Sequence, residues 1–244
     1  MAPSSQPKSE GSTPRRVGIY RFSAAEFLVA IVLLFVAAPF IEDIPRGQGS
    51  LVEAILMTVV LVSGVLAVSR TRQTLVFALV FVTPAVLARW AQHLFHDSVP
   101  REFYLVPGLV FVLFVLAHLL SFILRAPRVN SEVLCAGLSA YLLLGLLWSF
   151  AYLLVAQIRP NAFAFTVNAA ANESMEGFRA LYFSLITLST VGYGDIVPVT
   201  PVARMLAAME AMTGTLFMAV FISRLVALYS SQPPAAGEDK ATKQ

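Results

Sequence analysis

The sequence predicts an all-α integral membrane protein with six transmembrane helices and one short re-entrant segment. Three observations carry this. Of the 244 residues, 58% are hydrophobic and 13% charged, with a mean hydropathy of +0.77, more apolar surface than a water-soluble core of this size can hide. Six apolar stretches approach the ~20 residues that span a bilayer. A seventh, Phe178–Leu188, is too short to cross as a helix and is followed at once by a glycine-containing polar turn.

The six stretches are Phe22–Ile41, Leu51–Val68, Leu75–Trp90, Tyr104–Leu124, Leu134–Ile158 and Val202–Tyr229. The third is the weakest, being short, interrupted by Pro84 and closed by Arg89. The first also has the outline of a signal peptide, Arg15 and Arg16 preceding the apolar run, but Pro39 after Val36–Ala38 disfavours cleavage there. Pro127 stops any helix from running through Arg125–Glu132, and Pro198 and Pro201 punctuate the loop before the last stretch.

The organisation expected is a disordered tail over 1–21, a four-helix membrane unit over 22–124, a cytoplasmic linker over 125–132, a second unit of helix, re-entrant segment and helix over 133–229, and a short tail over 230–244. With both termini inside, Lys8, Arg15, Arg16, Arg21, Arg70, Arg72, Arg125, Arg128, Lys240 and Lys243 are cytoplasmic. Arg46, Arg89, Arg101, Arg159 and Arg179 are on the other side, as the positive-inside rule requires. Trp90, Phe103, Tyr104 and Tyr229 fall at interfaces. A net charge of +3 is too small to point to nucleic acid, and the single cysteine, Cys135, excludes an intrachain disulfide framework. Neither a nucleophile–base pair, nor a metal-ligand cluster, nor a phosphate-binding loop stands out, so no enzyme activity and no cofactor is expected.

The chemistry concentrates around Met175–Asp195. Ser174 is a candidate cap for a helix ending near Leu188, and Glu173 and Glu176 suit the positive end of its dipole. Non-helical backbone at membrane depth is tolerated only where it lines water or ions or is buried in protein. The residues that follow, Ser189-Thr190-Val191-Gly192-Tyr193-Gly194-Asp195, suit ions. A dehydrated K⁺ needs stacked rings of oxygen, which consecutive carbonyls supply if dihedrals alternate so that all face one axis. Gly192 and Gly194 reach the left-handed backbone this needs at little cost. Thr190 adds a hydroxyl, so Thr190, Val191, Gly192 and Tyr193 are the expected K⁺ ligands. Val191 and Tyr193 side chains are expected to point outward and pack behind the strand. One chain supplies one wall, and rotational symmetry closes a homotetrameric pore.

At Thr190–Gly194 the sequence resembles the potassium-channel superfamily, whose TVGYG signature it contains in full. The resemblance covers Val133–Tyr229 in the order outer helix, pore helix, selectivity filter, inner helix. It implies a passive, multi-pass K⁺ channel in the plasma membrane, in contact with lipids and without a nucleic-acid partner. It also implies a hinge at Gly214 and a pore-lining face of Thr215, Met218, Ile222 and Val226 on the inner helix.

The chain departs from the family in several places. Ile186 stands where some relatives carry a glutamate that braces the filter aspartate, and Tyr182 and Phe183 stand where many carry tryptophan. Asp195, at the filter mouth, is left with Tyr182 or Arg204 as partner, so Tyr182, Ser189 and Arg204 are the expected filter supports. Glu210 lies in the membrane one turn before Gly214, where a carboxylate is costly; it either attracts K⁺ or bonds the pore helix through Ser184 or Thr187. Arg224 is expected to reach lipid phosphate or Glu132. The first four helices resemble a voltage-sensor domain in number and position. Yet Tyr104–Leu124 holds only His118, so gating arginines are missing and voltage gating by them is not expected. His93, His96 and Asp97 form an outer loop in which histidine titration is one conceivable signal. The 15 residues after Tyr229 are too few for a ligand-sensing domain. A transporter built from four pore-loop repeats and a non-conducting regulatory subunit are the rival readings; the single TVGYGD run weighs against the first.

Overall fold

The computed structural model describes residues 24–42, 46–68, 72–95, 102–166 and 174–230. The chain forms α1 (Ala24–Glu42), α2 (Arg46–Val68), α3 (Arg72–Phe95), α4 (Glu102–Arg125), α5 (Ser131–Ile158), β1 (Phe163–Phe165), α6 (Gly177–Leu188), β2 (Ile196–Pro198) and α7 (Pro201–Ser230). All six long apolar stretches are helical. Five, α1, α3, α4, α5 and α7, are long and apolar enough to cross a membrane.

The helix that falls short is α2, not the expected α3. Its apolar core is only Ala54–Ala67, because Arg46, Gln48 and Glu53 dilute its first half. In α3 the helix continues through Pro84, and the Thr83 hydroxyl just before it donates to the Leu79 carbonyl at 2.6 Å. Trp90, expected at an interface, is half-buried and donates from its indole to the Thr58 hydroxyl of α2 at 3.2 Å.

The four-helix unit lies against α5 of its own chain through α1 and α4. Phe27, Ile31, Phe111, Val115 and Leu143 are almost wholly buried in one apolar core shared by α1, α4 and α5. Gly108 of α4 lets the Phe150 ring of α5 come within 3.2 Å of where a Cβ would stand. The turn between the units is tight: the Asn130 side chain caps α5 by accepting from the Val133 N–H at 3.0 Å. Arg224 of α7 donates to the Leu124 and Ala126 carbonyls, both at 3.0 Å, and so caps the end of α4 rather than reaching toward Glu132 or lipid.

The second unit has its own core. Tyr152, Phe163 and Phe183 form a triangle of edge-on rings with centroids 4.9–5.6 Å apart. This triangle joins α5 and α6 to the two-stranded antiparallel sheet, in which Phe163 pairs with Pro198 and Phe165 with Ile196. The sheet thus anchors both ends of the segment 166–195 that carries α6 and the turn after it.

Candidate functional site

α6 begins later than expected. Its N-cap is Glu176, with no side-chain cap bond, and Gly177 turns the chain at φ +38°. Ser174 does not cap the helix; its carbonyl accepts from Arg179 at 3.3 Å. The other end is well closed. Ser189 is the C-cap, and its hydroxyl donates to the Leu185 carbonyl at 2.7 Å.

Beyond Ser189 the backbone alternates in hand. Thr190, Gly192 and Gly194 have φ of +61°, +50° and +80°. The glycines reach this region freely; Thr190 was not expected there and carries roughly 1–2 kcal/mol of strain. Local bonds hold it: the Thr190 N–H donates to Thr187 O at 2.9 Å, and the Val191 and Gly192 N–H groups both donate to Ile186 O, at 2.8 and 3.1 Å. The donors therefore turn back into the chain. Among the described residues, no hydrogen bond takes up the carbonyls of Thr190, Val191, Gly192 or Tyr193. The negative end of the α6 dipole lies beside them, which favours a cation.

The side chains do not pack as expected within one chain. Val191 is 54% and Tyr193 72% exposed. Within a single chain, neither side chain is packed behind the strand.

Asp195 is held on several sides. Tyr182 donates its hydroxyl to Asp195 Oδ2 at 2.7 Å, and the Ile196 N–H donates to Oδ1 at 3.0 Å. Arg204, the other expected partner, instead donates from Nε to the Pro198 carbonyl at 3.2 Å, steadying the loop into α7. Thr166, which sequence reasoning missed, is a third brace. Its N–H donates to the Asp195 carbonyl at 2.8 Å, and its hydroxyl lies 2.9 Å from the Gly194 carbonyl and 3.1 Å from that of Asp195. Nothing near Thr166 in sequence signals this, because the contact depends on the pairing of β1 with β2.

α7 runs unbroken from Pro201 to Ser230, and its buried face recurs at Ala203, Glu210, Gly214 and Leu228. Gly214 is packed: a Cβ there would stand 2.1 Å from the Leu188 carbonyl oxygen. Thr215, Met218, Ile222 and Val226 lie together on the exposed side. Glu210 is fully buried. Tyr152 of α5 donates its hydroxyl to Oε2, and the Ser184 hydroxyl of α6 lies 2.5 Å from Oε1; Thr187 is not among its partners. His118 lies against Phe114, with ring centroids 4.8 Å apart and the planes tilted by 47°. His96 and Asp97, and the side chain of His93, lie outside the described residues, as do the tails 1–21 and 231–244.

This arrangement, apolar helices around a short helix that stops beside partner-free carbonyls, defines a class: a multi-pass membrane protein with an ion-channel domain. Residues 140–231 match a family model described as ion channel. The relatives narrow it. The chain is similar to "Two-pore potassium channel 4" of Arabidopsis thaliana, 41% identical over 64 residues, covering 26% of this chain and 22% of that one. It is similar also to "Inward rectifier potassium channel Kirbac3.1" of Paramagnetospirillum magnetotacticum, 32% identical over 101 residues, covering 40% and 29%. "Two pore potassium channel b" of Oryza sativa subsp. japonica is 37% identical over 78 residues, covering 30% and 22%. The chain thus spans between about a fifth and a third of the length of these relatives. No solved structure matches it. Residues 140–231 are thus similar to ion channels, and the relatives that the chain resembles are potassium channels.

Proposed function

We propose that this chain is one subunit of a K⁺-selective channel, four copies of which enclose a single pore for passive K⁺ flow. One observation carries the reading. From Thr190 to Tyr193, alternate residues are left-handed, the N–H groups of Thr190, Val191 and Gly192 are spent on α6, and four successive carbonyls have no hydrogen-bond partner among the described residues. Four such walls around an axis give stacked oxygen rings able to replace the hydration shell of K⁺. Thr190, Val191, Gly192, Tyr193 and Gly194 form the filter in this reading, with Asp195 at its outer mouth.

The bare flank of α7 supports assembly. Met205, Met209, Met212 and Leu216 are 46–63% exposed beside the filter, and flexible thioethers suit packing against another chain. Thr215, Met218, Ile222 and Val226 line the cavity below the filter. The pore sits in the plasma membrane with both termini cytoplasmic and lipid around α1–α4. α4 holds no arginine or lysine before Arg125, so it supplies no row of gating charges.

Purified protein in liposomes is expected to pass K⁺ far faster than Na⁺, with block by Ba²⁺ and little steepening with voltage. Equal K⁺ and Na⁺ flux through well-formed tetramers overturns the reading. Tetramers that assemble and carry neither ion favour a regulatory subunit instead.

A further inference from the structure

Among the described residues, Glu210 is the one buried carboxylate, and its hydrogen bonds have a countable problem. The Ser184 hydroxyl lies 2.5 Å from Glu210 Oε1 and 2.6 Å from the Gly145 carbonyl. A serine hydroxyl has one hydrogen to donate, and a peptide carbonyl only accepts. Both short contacts are satisfied when Ser184 donates to Gly145 and Glu210 donates to Ser184. The other carboxyl oxygen accepts from Tyr152. The donors then run in a circuit across three helices: Tyr152 on α5 to Glu210 on α7, to Ser184 on α6, and on to Gly145, which returns it to α5.

The circuit stands where the helices pack closely. A Cβ on Gly145 would lie 2.9 Å from the Leu185 side chain, next to Ser184. One turn further along both helices, Gly214 meets the Leu188 carbonyl. Glu210 with Ser184 and Gly214 with Leu188 thus form two rungs, each pair four residues apart, and the upper rung ends one residue before Ser189 and the strand. No solvent reaches Glu210, which leaves it no path to attract ions directly.

We propose that Glu210 is a positioning residue of the filter: it acts as a protonated, hydrogen-donating acid that locks the inner helix onto the pore helix. The proposal rests on the reading of Thr190–Asp195 as a K⁺ filter for its consequence, though not for its geometry. A glutamine has one donor and one acceptor in the same shape, so Glu210→Gln preserves the circuit. Glu210→Leu removes both and strands the Tyr152 and Ser184 hydroxyls, a loss large enough to change an equilibrium by about ten-fold or more.

The test compares the three proteins as tetramers in liposomes. Glu210→Gln is expected to keep the K⁺-to-Na⁺ flux ratio within about two-fold of the parent, whereas Glu210→Leu lowers it by about ten-fold or more. Loss of selectivity in Glu210→Gln, or its retention in Glu210→Leu, overturns the proposal. The infrared difference between parent and Glu210→Gln is the independent measurement. A protonated-carboxyl carbonyl band is expected, and carboxylate bands in its place overturn the proposal even if Glu210→Leu fails to fold. A parent protein that carries no K⁺ but shows the protonated band leaves the circuit standing and removes the filter reading alone.

Discussion

α3 and α7 are equally bare in a single chain, with 17% of the apolar window of each buried, yet their bare faces differ in kind. The exposed side of α3 is Val76, Leu79, Val80 and Leu87, and its one hydroxyl there, on Thr83, is spent on the Leu79 carbonyl. The exposed side of α7 carries Met205, Met209 and Met212, and the turn that precedes this helix holds four carbonyls that take up no hydrogen bond among the described residues. Acyl chains can cover the first face at no cost, but they cannot cover the second, because unsatisfied backbone in hydrocarbon costs several kcal/mol per group. Apolar exposure in a membrane protein is therefore ambiguous by itself. The neighbouring backbone decides whether lipid or another chain completes the surface.

The strongest way to break this comparison is at the filter. Gly192→Ala places a side chain at φ +50°, and is expected to abolish K⁺ over Na⁺ selectivity while membrane insertion stays intact. Flux in liposomes and protease mapping of insertion check the two halves. Preserved selectivity would show that the left-handed backbone there is incidental.

Next in size is a contrast between the two helices. If the proposed tetramer forms, Met212→Trp overfills a face between subunits, at roughly 1–3 kcal/mol for each of four copies, and is expected to shift tetramer toward monomer. Val80→Trp faces lipid and is expected to leave assembly unchanged. Crosslinking and mass measurement in detergent read both; equal effects would erase the distinction between α3 and α7.

A smaller effect is expected from glycine contacts. Gly214→Ala drives a methyl group to 2.1 Å from the Leu188 carbonyl, backbone that has little room to yield. It should destabilise the pore unit by about 1–3 kcal/mol. Gly64→Ala, whose new methyl meets the Phe111 and Phe27 rings at 3.4–3.5 Å, should change stability little. Thermal melts in detergent give both. Smallest is Tyr182→Phe, which removes the bond to Asp195 Oδ2 for a net of about 1 kcal/mol. Because Ile196 and Thr166 still hold Asp195 and Gly194, steady selectivity should survive, and the change should appear as faster decline of current during prolonged recording.

Much of the fold was legible because it rests on local physics. Runs of apolar residues long enough to hide their backbone must be helices in a membrane, and all six are. The positions of Pro127, Pro198 and Pro201 marked true breaks. The same reasoning misjudged α2 and α3, since an apolar helix continues through a proline, whereas dilution by Arg46, Gln48 and Glu53 shortens the apolar run. Ser184 as a partner for Glu210, and Tyr182 for Asp195, could be named because one polar residue in an apolar run has few places to go. Their rivals Thr187 and Arg204 could not be dismissed by the same logic, since choosing among candidates one turn apart needs the rotation of α6 against α7.

By itself, then, the sequence determined the helices, the re-entrant segment and the glycines on which an alternating backbone depends, because each follows from hydropathy or from the sterics of a single residue. Only the tertiary structure decided that Thr190 joins Gly192 in the left-handed region, and that Thr166 closes on Gly194. It alone decided that Gly214 is filled by the Leu188 carbonyl, and that Tyr152, Glu210, Ser184 and Gly145 meet. Those contacts join residues 26 to 58 positions apart or turn on a backbone angle held by bonds to the Ile186 and Thr187 carbonyls, and no local pattern encodes a distance of that kind.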